Sequence, residues 1–243
     1  MIIPHTRVAT LLCLLLLPAL WSAVGLAAEN TCVTCHEGVA GTGHAAHNFA
    51  DWKKSVHAQR GITCEQCHGG HADQRDVPRA HEGVIRSSDP RSPLYFTHIP
   101  EACGRCHTAE FGAFKASYHF RELQRAGRGP NCLTCHGAMA TRVLTPQEMQ
   151  RTCTLCHAEP TQAEQTLVTL NQADALLKKW RALLRVTPQP EQATALAAAE
   201  QRYKTAKQTW HGFQLSDVLN TARALVVQAR QAIAGLAPAG GTP

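Results

Sequence analysis

The chain has 243 residues, a formal net charge of +6 and only 5% aromatic residues. That length suits one or two domains, and so few aromatics leave little for a conventional apolar core. The positive charge is not gathered into basic runs, which argues against nucleic acid or an anionic membrane as partner.

Residues 1–28 read as an export signal. MIIPHTR is a short, weakly positive start, VATLLCLLLLPAL is apolar, and WSAVGLAA ends in small residues, consistent with cleavage after Ala27 or Ala28. The apolar stretch is short for a span of about 20 residues, and Pro18 interrupts it. An uncleaved anchor in the inner membrane, facing the periplasm, is the alternative, and only that form associates with the membrane. Cys13 falls inside the leader and lacks the small residues that precede a lipidated cysteine, so it is a passenger. The expected location is the periplasm, where spare cysteines ordinarily form disulfides.

The spacing of the other ten cysteines points elsewhere. They form five pairs, each followed at once by histidine: Cys32, Cys35 and His36; Cys64, Cys67 and His68; Cys103, Cys106 and His107; Cys132, Cys135 and His136; Cys153, Cys156 and His157. This is the c-type haem attachment pattern. Two thioethers anchor the porphyrin vinyl groups, and the adjacent histidine reaches the iron from one face. Zinc sites pair CxxC units but do not require a histidine directly after the second cysteine, and redox dithiols ordinarily come singly. The expectation is five covalently attached haem c groups within residues 32–157. Their porphyrins would serve as the core, wrapped by loops and short helices. Arg7 leaves with the signal, and two propionates per haem take a fully ionised holoprotein to about −5, so the apparent basicity is misleading.

Each iron has a second axial position. Histidine there gives a low-spin centre suited to electron transfer, and a vacancy permits ligand binding or catalysis. His44, His47, His57, His71, His81, His98, His119 and His211 are the candidates. WKKSVH (52–57) and FKASYH (114–119) share one pattern: aromatic, Lys, any, Ser, any, His. Each precedes a CxxCHG, which makes His57 and His119 candidates for the second and fourth haems. His81 follows the second attachment site. His47, in HAAHNFADW, is assigned to the third haem, that of Cys103 and Cys106, with His71 and His98 as rivals.

The order CxxCH, W-K-x-[ST]-x-H, CxxCHG and then a further histidine resembles the tetrahaem and octahaem cytochromes around hydroxylamine oxidoreductase, of which this chain would be a pentahaem member. The resemblance covers about residues 30–160. It implies that His57 ligates the haem of Cys64 and Cys67, His81 that of Cys32 and Cys35, and His119 that of Cys132 and Cys135. It does not carry catalysis with it. No motif ties Tyr95, Tyr118 or Tyr203 to the cross-linking tyrosine of hydroxylamine oxidoreductase, and the CxxCK site of the related nitrite reductases is missing.

From about residue 161 the composition shifts to Ala, Leu, Gln and Lys. Helical spacing over 163–186, 191–211 and 215–236 predicts three antiparallel helices, broken by TPQP and Gly212. Their apolar stripes are thin and rich in alanine, so an isolated bundle would be marginal and docking onto the haem domain would supply the missing surface. His211, in TWHGF, is the candidate second ligand for the haem of Cys153 and Cys156.

The expected organisation is a leader (1–28), a pentahaem domain (29–160), a three-helix region (161–237) and a tail (238–243). The fold class is mostly α with extensive loops. The expected function is electron transfer through closely spaced, mostly bis-histidine haems, not catalysis. The expected partners are redox proteins: a membrane quinol-oxidising complex, a terminal reductase or an outer-membrane cytochrome conduit. The alternative is a small multihaem oxidoreductase acting on a nitrogen or sulfur oxyanion, with the vacancy at the third haem. A subunit of a larger membrane complex, with the helices as its interface, is a further reading.

Overall fold

Each CxxCH sits on a short helical turn, because residues three apart on a helix share a face and the pattern needs both thiols on one side. The computed structural model describes residues 30–37 and 49–236, among which the regular structure is helical, with no strand. The leader, the segment holding His44 and His47, and the tail lie outside the described residues.

Helix α1 (Thr31–His36) carries the first site and begins at Asn30, whose Oδ1 accepts from the Val33 N–H at 3.2 Å. Helix α2 (Phe49–Lys54) leads to a 3-10 turn at Ala58–Arg60. Helix α3 (Glu65–His68) carries the second site, and α4 (Val77–Ala80) ends just before His81. Helix α5 (Ile99–Gly104) leads into the third site. Helices α6 (Thr108–Lys115) and α7 (Tyr118–Ala126) follow. Helix α8 (Cys132–His136) is the fourth site, held by a capping box between Asn131 and Thr134. Helix α9 (Pro146–Thr154) brings Cys153, with a second capping box between Thr145 and Glu148. Such reciprocal caps satisfy backbone donors that a helix this short leaves open.

Three long helices complete the chain: α10 (Thr161–Val186), α11 (Pro190–Trp210) and α12 (Leu215–Leu236). They share a core of their own. Ala173, Leu177 and Trp180 of α10 pack with Leu196 and Ala199 of α11 and with Leu225, Val226, Ala229 and Leu236 of α12. A second cluster joins Leu170, Ala206, Val218 and Ala222. The thin stripes therefore bury more than their composition promises. Alanine carries no bulk, so the helix axes approach closely, and Ala173, Ala222 and Ala229 are each 0% exposed.

The seam with the rest of the chain is a third cluster, in which Leu144 and Met149 meet Leu167 of α10, with Cys135, Cys153 and Trp210 packed against it. Helix α11 also lies against α6. Among the described residues, no helix is long and apolar enough to cross a membrane.

Candidate haem-binding site

The two W/F-K-x-S-x-H segments fold alike, and their serines explain how. Ser55 Oγ accepts from the Ala58 N–H at 3.0 Å, and Ser117 Oγ accepts from the Phe120 N–H at 3.1 Å. Both serines are buried. Each caps a new helical turn, and the histidine two residues on is projected from that turn's first residues. Trp52 is pinned by its own Nε1–H, which donates to the Ile62 carbonyl at 3.3 Å.

Among the described residues, His36, His107, His136 and His157 each face a second histidine. The ring centroids of His36 and His81 are 6.0 Å apart, those of His57 and His107 6.1 Å, those of His119 and His157 5.9 Å, and those of His136 and His211 6.2 Å. Two metal–nitrogen bonds of about 2 Å, plus the step from each nitrogen to its ring centre, amount to about 6 Å. Each pair is therefore spaced for one iron between two imidazoles, and the residues present fit haem c.

Hydrogen bonds at Nδ1 leave Nε2 free to point inward. Nδ1 of His81 is 2.8 Å from the Val77 carbonyl, that of His136 2.8 Å from the Arg142 carbonyl, and that of His211 2.9 Å from the Lys207 carbonyl. Nδ1 of His57 is 2.9 Å from Thr141 Oγ1. Such partners fix the tautomer and ring orientation of a metal-binding histidine. Burial holds His57, His119 and His211 below the usual histidine range, with His107, His157 and His136 respectively adding to the effect. All three thus favour the neutral form that a ligand requires.

His81 lies opposite His36, at the attachment site of Cys32 and Cys35. The other assignments change. His57 faces His107 and the site of Cys103 and Cys106, not that of Cys64 and Cys67. His119 faces His157, not His136. His211 faces His136, not His157. His57 and His119 each pass over the CxxCHG that follows and meet the histidine of the next CxxCH beyond it. Nearness in sequence is a poor guide here, because His57 is held by the distant Thr141 and His119 by the distant Phe213. His47, the expected second ligand of the third haem, lies outside the described residues. His98 instead closes its own loop, with Nδ1 2.9 Å from the Ser92 carbonyl and its ring edge-on to Tyr95. The His71 N–H donates to the Ala80 carbonyl at 3.0 Å, and its side chain is exposed.

The cysteines show how the sites are ordered. Burial raises the Cys64 thiol to about 11, helped by neighbouring Cys32. Cys67 is raised by burial and by Cys103 and Cys106. Cys103 and Cys132 share a side-chain hydrogen bond that raises Cys132. Burial raises Cys135 to about 11, with Cys153 adding to it. Consecutive attachment sites are thus neighbours along the whole chain. None of the ten cysteines is joined to another by a disulfide, and among the described residues no group of three or more His, Cys, Asp or Glu side chains is arranged to hold a bare metal ion.

One feature escaped sequence reasoning. Phe213, the last residue of TWHGF, takes φ 57°, in the left-handed region that is costly for a bulky side chain. Its ring meets that of His119 at 4.1 Å and lies 6.3 Å from that of Phe114. The turn between α11 and α12 thus supplies His211 to one pair and an aromatic wall to another.

Residues 20–69 match the family described as cytochrome c554 and c-prime. The C-type polyheme cytochrome OmcC of Geobacter sulfurreducens is 27% identical over 97 residues, which is 40% of this chain and 12% of that relative. The chain therefore spans only a small part of the curated relative it matches, and no solved structure matches it. The attachment motifs and these likenesses support a multihaem c-type cytochrome carrying covalently bound haem c.

Proposed function

We propose that the chain is a periplasmic pentahaem cytochrome that relays electrons between redox partners through a row of mostly bis-histidine haems. The observation that carries this reading is the set of four facing histidine pairs, each at the separation one iron needs. When bound, the haems supply one-electron redox chemistry. The protein's residues attach, ligate and orient. Ten cysteines provide thioethers. His36, His68, His107, His136 and His157 ligate from one face. His81, His57, His211 and His119 ligate the first, third, fourth and fifth haems from the other. The second haem, at His68, draws on His44, His47, His71 or His98.

The contacts between consecutive cysteine pairs support a row in chain order, with little protein between neighbours. The order of residues in the two core clusters supports alternating directions for α10, α11 and α12. Kinship with the hydroxylamine oxidoreductase group rests on motif order, and export rests on the leader. A membrane quinol-oxidising complex, a terminal reductase or an outer-membrane conduit are partners of suitable chemistry.

The alternative, an oxidoreductase with one open haem, has less support at the third haem, where His57 faces His107. Electron paramagnetic resonance of the oxidised holoprotein, with carbon monoxide added to the reduced form, tests the choice. Low-spin haems indifferent to carbon monoxide are expected. A high-spin haem that binds it would overturn the pure relay.

A further inference from the structure

The loop after CLTCH grips two of these histidines at once. Thr141 Oγ1 lies 2.9 Å from Nδ1 of His57, and the Thr141 carbonyl accepts from the Val56 N–H at 3.4 Å. One residue further on, the Arg142 carbonyl lies 2.8 Å from Nδ1 of His136, and the Arg142 N–H donates to the His136 carbonyl at 3.0 Å. His57 and Thr141 are 84 residues apart in sequence, so this is a tertiary contact and not a local turn. The dipeptide therefore holds the second histidine of the third pair on one side and the motif histidine of the fourth on the other. Arg142 is held in turn by Glu148 at 2.5 Å, within the capping box of α9.

The acceptors differ in kind. With Nε2 as the ligating atom, His81, His136 and His211 would each give Nδ1–H to a peptide carbonyl, whereas His57 would give it to a hydroxyl. A peptide carbonyl is a strong acceptor, and an acceptor on the outer nitrogen raises the basicity of the ligating one. A hydroxyl both donates and accepts, and polarises the ring less. His57 is on this account the weaker donor among the four. A weaker axial donor stabilises ferric iron less, and hydrogen bonding of this kind is one of the protein's controls over haem potential.

We propose that Thr141 is a positioning residue for His57, fixing its imidazole against His107 and keeping the haem of Cys103 and Cys106 at a higher potential than a carbonyl-backed ligand would. The proposal rests on the reading that His57 and His107 share one iron.

Thr141→Val removes the hydroxyl at nearly constant volume, and Thr141→Ala removes it without a second methyl group near Val56. In a spectroelectrochemical titration of the five-haem holoprotein, either variant should raise the midpoint of one haem and leave the others in place. The same haem should take up added carbon monoxide, which the other haems ignore, because its second ligand is held less firmly. Thr141→Ser should restore both. His57→Ala serves as the control and should give one high-spin haem. If it does, while Thr141→Val and Thr141→Ala leave every midpoint unmoved, the role of Thr141 is overturned and the ligation stands. If His57→Ala leaves all haems low-spin, the ligation falls and the role of Thr141 falls with it.

Discussion

The ring of His57 lies 6.1 Å from that of His107, with the whole CEQCH attachment site passed over between them. His119 behaves the same way, passing CLTCH to meet His157 at 5.9 Å. The two W/F-K-x-S-x-H segments are thus one device used twice. A buried serine caps a turn, and the histidine it projects faces the motif histidine of the attachment site after next. A pair of variants that removes the two ligands of one iron should disturb one haem only. His57→Ala and His107→Ala should each remove the same low-spin signal, and His57→Ala and His68→Ala should remove different ones. The measurement is low-temperature electron paramagnetic resonance of the single variants. If His57→Ala and His68→Ala delete a common signal, the skipped pairing is wrong.

The four pairs differ in how their ring planes cross. The planes of His136 and His211 meet at 22°, and those of His119 and His157 at 87°. Near-parallel axial imidazoles lift the degeneracy of the iron orbitals and give a rhombic low-spin signal. Near-perpendicular ones leave the orbitals almost degenerate and give a signal with a large maximal g value. His211→Ala should therefore abolish a rhombic signal, and His119→Ala the signal of largest g. Reversal of the two would show that the fourth and fifth haems exchange their second ligands.

Much of the site was legible because its chemistry is local. Two thiols and a histidine within five residues must sit on one helical turn, and α1 and α8 do so. The three long helices were legible from spacing, since their apolar residues recur every three or four positions and Pro190 and Gly212 punctuate them. Three of the four second histidines face a different motif histidine from the one that motif order suggests. His57, His119 and His211 are placed by tertiary contacts with Thr141, Phe213 and α6, and no periodicity encodes these. The close packing of the alanine faces of α10 and α12 is not legible in composition for a related reason. Composition reports how much apolar surface a residue has, but not how closely two backbones approach when it is small.

The core of the long helices can be probed separately from the histidines. Leu225 is 0% exposed and packs in the cluster with Leu177 and Trp180. Leu225→Ala should cost about 2–5 kcal/mol, as buried leucine truncations do. The readout is the denaturant midpoint of helical circular dichroism in the holoprotein. At ambient temperature the haem spectrum should be unchanged, because Leu225 lies in a different cluster from Trp210, the neighbour of His211. A high-spin haem in the folded variant would mean that the core and the His136–His211 pair are one unit.

The capping box of α9 gives a pH dependence of known sign. The Thr145 N–H and the Arg142 guanidinium hold the Glu148 carboxyl down at about 2, against about 4.3 for a free glutamate. A carboxyl held below its unfolded value stabilises the fold above that value. The contribution is lost as pH falls through the window between the two. Glu148→Gln keeps the shape of the cap and removes the charge. The wild type should therefore melt higher than the variant at pH 6, and the gap should narrow below about pH 4 and close near pH 2. Other carboxylates and the propionates titrate in both proteins, so the difference between the two melting curves isolates Glu148. Curves that stay parallel from pH 6 to pH 2 would show that its ion pair with Arg142 does not stabilise the helix that presents Cys153.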